Sequence, residues 1–174
     1  IMGMLYAKTL LLNKRYKESD ALLSRLNIIP FEGATDGREL YREAKLMQAI
    51  QEIQKKNYKK GLQFINESKL WPLNLGVGKP YDEDIDMTLE DWMNYIIYEK
   101  TGKKELAKTY LQKLSGFSGN YPKPTDLIKV WSLEKQGQKK EAIRWLDQML
   151  EKHPGNKILL WSRAMFLKEP VDFL

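Results

Sequence analysis

The sequence contains no cysteine and only one histidine, His153. Without cysteine the chain cannot form a disulfide framework, supply a thiolate nucleophile or ligate zinc or an iron–sulfur cluster through sulfur. A single histidine also excludes sites that need two or more, such as the zinc-binding His-Glu-x-x-His helix. Because these absences remove much of catalytic chemistry, we expect no catalytic residue, no resident metal and no cofactor in this chain.

Long hydrophobic runs are missing as well. The longest apolar stretches, such as 10–12 and 158–161, are far shorter than the roughly 20 residues that a transmembrane helix needs. No signal segment is recognisable, and the first residue is Ile1 rather than a start methionine. We therefore expect the chain to be part of a longer protein, and its compartment stays open.

Neither basic nor acidic residues are in large excess. The 174 residues include 29 Lys and Arg against 23 Asp and Glu, which gives a formal net charge of +6. Most of these charges occur in mixed-sign runs, a pattern typical of solvated helix faces. This balance does not require a nucleic-acid partner, and we do not expect one. Hydrophobic residues make up 43% of the chain, which is enough for a folded core.

Apolar residues recur at helical spacing along most of the chain. Within 43–56, for example, Ala44, Met47, Ile50 and Ile53 follow one another at every third position. No segment shows convincing strand alternation bounded by turn signals. The sequence therefore predicts an all-α fold.

The breaks between these helical segments are alternately short and long, which predicts helix hairpins stacked one after another. Short breaks lie at 13–15, 56–58, 101–103 and 136–138, and longer ones at 30–37, 72–86, 116–124 and 154–156. We predict a single domain, 1–174, in which hairpins span about 2–30, 38–72, 88–115 and 125–154, followed by a capping helix at about 157–168.

Two of these hairpins repeat each other. Gly102 and Gly137 are 35 residues apart, and so are Ala107 and Ala142, which is close to a period of about 34 residues. The segment 131–154 contains, in order, the aromatic Trp131, Gly137, Ala142 and Pro154. It resembles the tetratricopeptide repeat (TPR), in which glycine ends helix A, a small residue opens helix B and proline closes the unit. The resemblance implies an α-solenoid of about four stacked TPR-like hairpins with a long inserted loop at 72–87.

A small residue occurs at the corresponding place in each of the four copies, at Ser19, Gly61, Ala107 and Ala142. In such hairpins helix B crosses helix A near its start, and only a small side chain lets the two backbones approach closely.

The inserted loop carries a cluster of acidic residues. Asp82, Asp84 and Asp86 have the opening spacing of an EF-hand calcium loop, but methionines replace the glycine and the bidentate glutamate that such a loop requires. A weak calcium site is therefore one alternative. The interpretation that we prefer is acidic flanking of a helix that begins at Thr88, because negative charge is favourable at a helix N-terminus.

Residues 71–92 carry a second resemblance. The stretch Trp71-Pro-Leu-Asn-Leu-Gly-Val-Gly-Lys-Pro-Tyr-Asp, leading into Leu89-Glu-Asp-Trp92, looks like a loop in the C-terminal TPR region of large uncharacterised bacterial proteins that have an upstream β-rich, mutarotase-like domain. This resemblance transfers no catalytic residue. It implies an alternative function, in which the helical array is an accessory domain that buttresses a carbohydrate-active domain of the same polypeptide and the 73–86 loop contributes to its site.

The TPR resemblance itself implies a non-catalytic scaffold that binds a peptide, a protein or a neighbouring domain of the same chain. TPR arrays bind peptides through side chains of helix A. The candidate partner-binding residues at those positions are Trp92, Glu99, Lys100, Trp131, Glu134 and Lys135. Because aromatic residues at helical spacing are more often core residues, we first interpret the two tryptophans as packing residues.

Basic residues flank every short turn and define a second candidate surface. The residues concerned are Lys14, Arg15, Lys17, Lys55, Lys56, Lys59, Lys60, Lys100, Lys103, Lys104, Lys135, Lys139 and Lys140. In a stacked array these turns would align as a basic ridge, which is either a solvated edge with cations near helix C-termini or a surface for an anionic partner. The sequence leaves the oligomeric state open.

Overall fold

The computed structural model describes residues 2–30, 36–116 and 121–170. These residues contain nine α-helices, two short 3-10 helices and no β-strand, which confirms the predicted all-α fold. The α-helices are α1 (Met2–Leu12), α2 (Tyr16–Leu23), α3 (Asp36–Gln54), α4 (Tyr58–Ser68), α5 (Thr88–Lys100), α6 (Lys104–Gly116), α7 (Asp126–Lys135), α8 (Lys139–Lys152) and α9 (Lys157–Leu167). The 3-10 helices span Leu73–Leu75 and Asp82–Asp84.

The chain divides into two compact units, Ile1–Met93 and Asn94–Leu174. Helix α5 begins in the first unit and ends in the second. Within the described ranges, no helix is both long and apolar enough to cross a membrane.

In the first unit, α1 packs against α2 and α3, α2 packs against α3, and α3 packs against α4. The core cluster collects one face of each of the first three helices together with two residues of the inserted loop. Its buried members are Ala7, Leu11, Tyr16, Leu23, Leu40, Ala44, Leu75 and Val77.

The first part of the inserted loop is thus a structural element of the first unit. The Asn74 side-chain amide donates hydrogen bonds to the carbonyl oxygens of Leu23 and Leu26, at 3.0 and 2.8 Å, and so satisfies the end of α2. Ile28 N in turn donates to Asn74 O at 2.8 Å. Gly76 follows with φ +66°, and a Cβ there would lie 2.7 Å from Ile28 O, so this close approach requires glycine.

In the second unit, α7 packs against α6, α8 and α9, and α8 packs against α9. The rings of Tyr98 and Tyr110 stack with centroids 5.7 Å apart and connect the end of α5 to α6. Helix α9 begins at an Asn156 cap, whose Oδ1 accepts hydrogen bonds from the next turn. One core cluster of this unit is formed by the buried residues Leu127, Val130, Leu133, Ala142, Leu146 and Phe166.

All four short turns have the same backbone conformation. The residue with positive φ is Lys14, Lys56, Gly102 or Gly137, with φ between 59° and 79°. The next residue donates its N–H to the carbonyl five positions earlier, at 2.8 to 2.9 Å in each turn. This bond is typical of the Schellman ending of a helix. The same ending occurs after α9, where Lys168 has φ 59° and the N–H of the following residue reaches back to Ala164 O at 2.9 Å.

The small residues that follow these turns, Ser19, Gly61, Ala107 and Ala142, are all buried. Ser19 Oγ also donates a hydrogen bond to Ala7 O of α1 at 3.0 Å, which requires the two helices to approach closely at this point. Larger side chains at these four positions would have to displace core atoms.

Candidate functional site

A cleft of about 480 Å³ lies beside α1 and the first turns of α3 in the first unit. One part of its lining is aliphatic and the other is charged. The lining residues are Met4, Leu5, Ile28, Leu40, Lys8, Asp36, Glu39 and Glu43.

The two walls of this cleft follow from the sequences of the two helices. Helix α1 buries Ala7, Leu10 and Leu11, yet it also exposes apolar residues, and Leu5 retains 60% of its accessible surface. The second wall carries the acidic residues of α3, of which the first two lie in the first helical turn, where they interact favourably with the helix dipole. The cleft thus combines an aliphatic wall with a carboxylate wall.

The charges of the cleft make no close ion pair in the described part of the chain, although the charge of Glu39 contributes to raising the pKa of Arg42. Asp36, Glu39, Glu43 and Lys8 are exposed, and none of them lies within 4.0 Å of an opposite charge among the residues that the structure describes. Three carboxylates against one ammonium give the described lining of the cleft a local balance of −2, although the chain as a whole carries +6.

An adjacent side of α3 carries cations that are half-buried and paired with carboxylates of neighbouring helices. The Arg42 guanidinium donates through Nε and Nη2 to the two carboxylate oxygens of Glu90, both at 2.6 Å. Glu90 is 0% exposed. Burial lowers the pKa of Arg42, but the hydrogen bonds and the charge of Glu90 outweigh it, so the net pKa is raised. Because Arg42 Nη2 also donates to Asp86 O at 3.1 Å, this arginine fixes the segment that leads into α5.

Lys45 makes a second, partly buried junction one turn further along α3. Its ammonium lies 2.7 Å from Asp20 of α2 and 2.8 Å from Glu67 of α4. Burial acts to lower the pKa of Lys45, whereas the two carboxylates raise it and prevail. For Glu67, burial acts to raise the pKa, and the hydrogen bonds from Lys45 and Gln63 prevail in lowering it. This junction connects three helices through one cation.

Arg38 differs from these two cations because it makes no ion pair within 4.0 Å in the described part of the chain, although the more distant charge of Glu90 acts to raise its pKa. It is 4% exposed and its guanidinium stacks over the Trp71 ring, 4.7 Å from the centroid. Arg38 Nε and Nη1 and Trp71 Nε1 are buried without a hydrogen-bond partner in the described part of the chain. Burial, followed by the charge of Arg42, lowers the pKa of Arg38. The stacking on Trp71 and the charge of Glu90 both act to offset the cost of burying this cation.

The residues predicted to bind a partner lie in both units. Trp92 is half-buried in the first unit, whereas Glu99 and Lys100 are exposed at the end of α5 in the second. Glu99 Oε1 accepts a hydrogen bond from the Tyr95 hydroxyl at 2.8 Å; burial, together with this carboxylate, raises the pKa of that tyrosine.

On α7, Trp131 is half-buried and packs against the core cluster of the second unit. Glu134 lies 3.5 Å from the Lys139 ammonium, and Lys135 is exposed. The role of these residues in partner binding stays a prediction.

Several residues of the predicted basic ridge have local partners. Lys55 pairs with Glu52 at 3.1 Å, Arg15 pairs with Glu18, and the Lys103 ammonium lies over the Tyr98 ring. These contacts are typical of solvated helix ends, and an anionic partner for the ridge stays a prediction.

The second part of the inserted loop is exposed. Residues 78–84 are all exposed, and Tyr81 retains 77% of its accessible surface. Asp86 Oδ1 accepts a hydrogen bond from Thr88 N at 2.9 Å, so this acid satisfies a backbone N–H at the start of α5. In the ranges that the structure describes, no group of three or more potential ligands is arranged to hold a metal ion.

The sequence did contain a signal for the α1/α3 cleft. Asp36, Glu39 and Glu43 are spaced three and four residues apart, which places them on one face of a helix. Helix α1 is apolar on more than the one face that a core requires. The cleft was nevertheless not predicted. The repeat pattern is strongest within 88–154, and the predicted partner-binding residues all lie there.

No family model, no curated protein and no solved structure matches this chain at a significant level. The arrangement of its own residues is therefore what bears on its function.

Proposed function

We propose that this chain is a non-catalytic, TPR-like helical-repeat scaffold that binds a segment of a protein, either a separate peptide or part of a neighbouring domain of its own polypeptide. The observation that carries the proposal is the cleft between α1 and α3, because these are the first helices of consecutive pairs. In helical-repeat arrays such helices line the binding surface. The cleft's combination of aliphatic and charged side chains suits binding rather than nucleophilic chemistry.

Three observations support the repeat assignment. The same Schellman turn separates the helices of all four pairs, and a buried small residue follows each turn. The order of packing also recurs within each unit, because α9 packs against α7 and α8 as α3 packs against α1 and α2. We assign α9 as a further helix of the array, packed like the first member of a pair.

Leu5 provides the test, since it lines the cleft and is largely exposed, so that its replacement changes the binding surface more than the core. Peptides selected on the folded chain from a random phage-displayed library should bind wild-type protein. They should bind Leu5→Gln at least about tenfold more weakly, because a buried leucine contributes about 1.5–3 kcal/mol. Affinities would be measured by fluorescence anisotropy.

The matched control is Leu106→Gln on α6, where the leucine is 45% exposed and lies outside the cleft. This variant should bind the selected peptides as the wild type does. Equal affinity of the Leu5→Gln variant and the wild type, or failure of the selection to enrich any peptide, would contradict the proposal.

The inserted loop supports the accessory role as a second candidate function. Its first part is fixed in the core through Leu75 and Val77, while Tyr81 projects into solvent beside exposed carboxylates. An anchored loop that presents an aromatic ring could extend the site of another domain. Determining the reading frame around the codon for Ile1 tests this candidate. An adjoining β-rich domain would support it, and a free-standing chain would refute it.

A further inference from the structure

We infer that the segment bound in the α1/α3 cleft is cationic and amphipathic, with lysine or arginine side chains flanking an aliphatic anchor. This inference rests on the proposed function and specifies the chemistry of the partner. It follows from the sign of the cleft's charges, from the absence of an ion pair within 4.0 Å of any of them among the described residues, and from the aliphatic residues beside them.

The free charges of the cleft contrast with those elsewhere in the same unit. Asp20, Glu52, Glu67 and Glu90 each lie within 4.0 Å of a lysine or arginine of this chain. The three acidic residues of the cleft make no such contact in the described part of the first unit. Their carboxylates can therefore interact with an external cation without first breaking an ion pair.

The spacing of these carboxylates specifies a run of cations rather than a single ion. Asp36 and Glu43 are seven residues apart on α3, which corresponds to about 10 Å along the helix axis. Glu39 lies between them on the same face. A helical or extended segment with two or three basic side chains can match this length, whereas a bound metal ion would require the carboxylates to converge.

The aliphatic wall adds the second requirement. Met4, Leu5, Ile28 and Leu40 line the same cleft, whose volume lies within the range of roughly 300–1,000 Å³ found for ligand clefts. A purely polar polycation would leave this wall exposed to water. An apolar side chain between the cations would cover it, and the aliphatic stems of lysine and arginine would extend that contact.

The local charge also selects against the opposite partner. Among the described residues that line the cleft, Lys8 is the one base, so an acidic segment would face a net negative surface there. An acidic partner would instead be drawn to the exposed lysines of the short turns. A preference for a basic over an acidic peptide would therefore indicate that binding takes place in this cleft.

Three fluorescein-labelled peptides of about 15 residues would test the inference, since this length covers an amphipathic helix. All three carry leucine at the same positions, three and four residues apart, and the remaining positions are lysine, glutamate or glutamine. Anisotropy titrations use the whole chain. We expect the lysine peptide to bind most tightly and to lose affinity between about 20 mM and about 300 mM NaCl, because salt screens exposed charges.

Two double variants test whether the carboxylates of the cleft are responsible for the affinity of the lysine peptide. Glu39→Gln/Glu43→Gln should weaken binding of the lysine peptide about three- to tenfold, as expected for the loss of two exposed ion pairs. Glu105→Gln/Glu151→Gln removes the same charge from exposed positions of the second unit and should leave the affinity unchanged. Circular dichroism checks that both variants keep their helix content.

The outcomes separate this inference from the proposed function. If the glutamate or glutamine peptide binds as tightly as the lysine peptide, and Leu5→Gln weakens that binding, the inference is wrong while the scaffold function stands. If the lysine peptide binds but is insensitive to the Glu39→Gln/Glu43→Gln change, the inference is also wrong. Absence of binding by all three peptides would overturn both.

Discussion

The two faces of α3 use charge in opposite ways. On one face Arg42 and Lys45 are held by carboxylates of neighbouring helices, and the pKa of each is raised by its partners. On the other face, towards the cleft, Asp36, Glu39 and Glu43 are exposed and free of ion pairs within the described ranges. The two sets overlap in the sequence, because Glu43 lies between Arg42 and Lys45, and the helix places them on different sides. The comparison indicates that one set contributes to folding and the other is available for binding.

The largest effect is expected from breaking the Arg42–Glu90 pair. Arg42→Ala would leave the Glu90 carboxylate buried without its cation, and the free energy of unfolding of the first unit should fall by about 3–5 kcal/mol. Urea unfolding followed by circular dichroism would measure this change. The Arg15–Glu18 pair supplies the control, because both of its side chains are exposed and Arg15→Ala should not measurably shift the urea midpoint. Equal shifts for the two variants would contradict the assignment of Arg42 to the structural face.

A smaller loss is expected for Lys45→Met, which removes one cation shared by two partly exposed carboxylates. The free energy of unfolding should fall by about 1.5–3 kcal/mol, the range for hydrogen bonds to charged groups. Methionine keeps the aliphatic contact, so the change reports mainly on the lost charge. Urea midpoints of the two proteins at neutral pH would give the difference.

The pH dependence of stability tests the same junction. The pKa of Glu67 is lowered in the folded state, so its stabilisation is present above the ordinary glutamate pKa of about 4.3 and is lost as the pH falls through the folded pKa. The pKa of Lys45 is raised, so its stabilisation is present below about 10.4 and is lost as the pH rises through the folded pKa. Lys45→Met should reduce both the loss of stability at low pH and the loss of stability at high pH. An unchanged profile at both ends would show that the junction does not act through these charges.

The all-α fold and the short turns could be predicted from the sequence, because helical periodicity and turn residues are local signals. The spacing of the acidic residues of α3 was a signal for one side of the α1/α3 cleft, but the partners of the buried charges could not be predicted in the same way. Mixed-sign runs suggested solvated helix faces, yet in α3 the burial of Arg38 depends on Trp71, 33 positions away. Likewise, the inserted loop enters the core because Asn74 satisfies the end of α2, a contact between distant residues that periodicity does not reveal.

The smallest effect on stability is expected on the cleft face. Glu39→Gln/Glu43→Gln should change the free energy of unfolding by less than about 0.5 kcal/mol, because exposed side chains without partners contribute little to folding. Glu39 and Glu43 are also four residues apart on one helix, so removing their mutual repulsion offsets the weaker interaction of Glu39 with the helix dipole.

Urea unfolding of this double variant beside Arg42→Ala gives the sharpest form of the comparison. A loss of several kcal/mol in the cleft variant would mean that these carboxylates belong to the structural set after all. An unchanged midpoint together with weaker peptide binding would separate the two faces experimentally, since the variant would then have lost a ligand contact and no folding energy. In that case one face of α3 would bind the partner, and the face that carries Arg42 and Lys45 would stabilise the first unit.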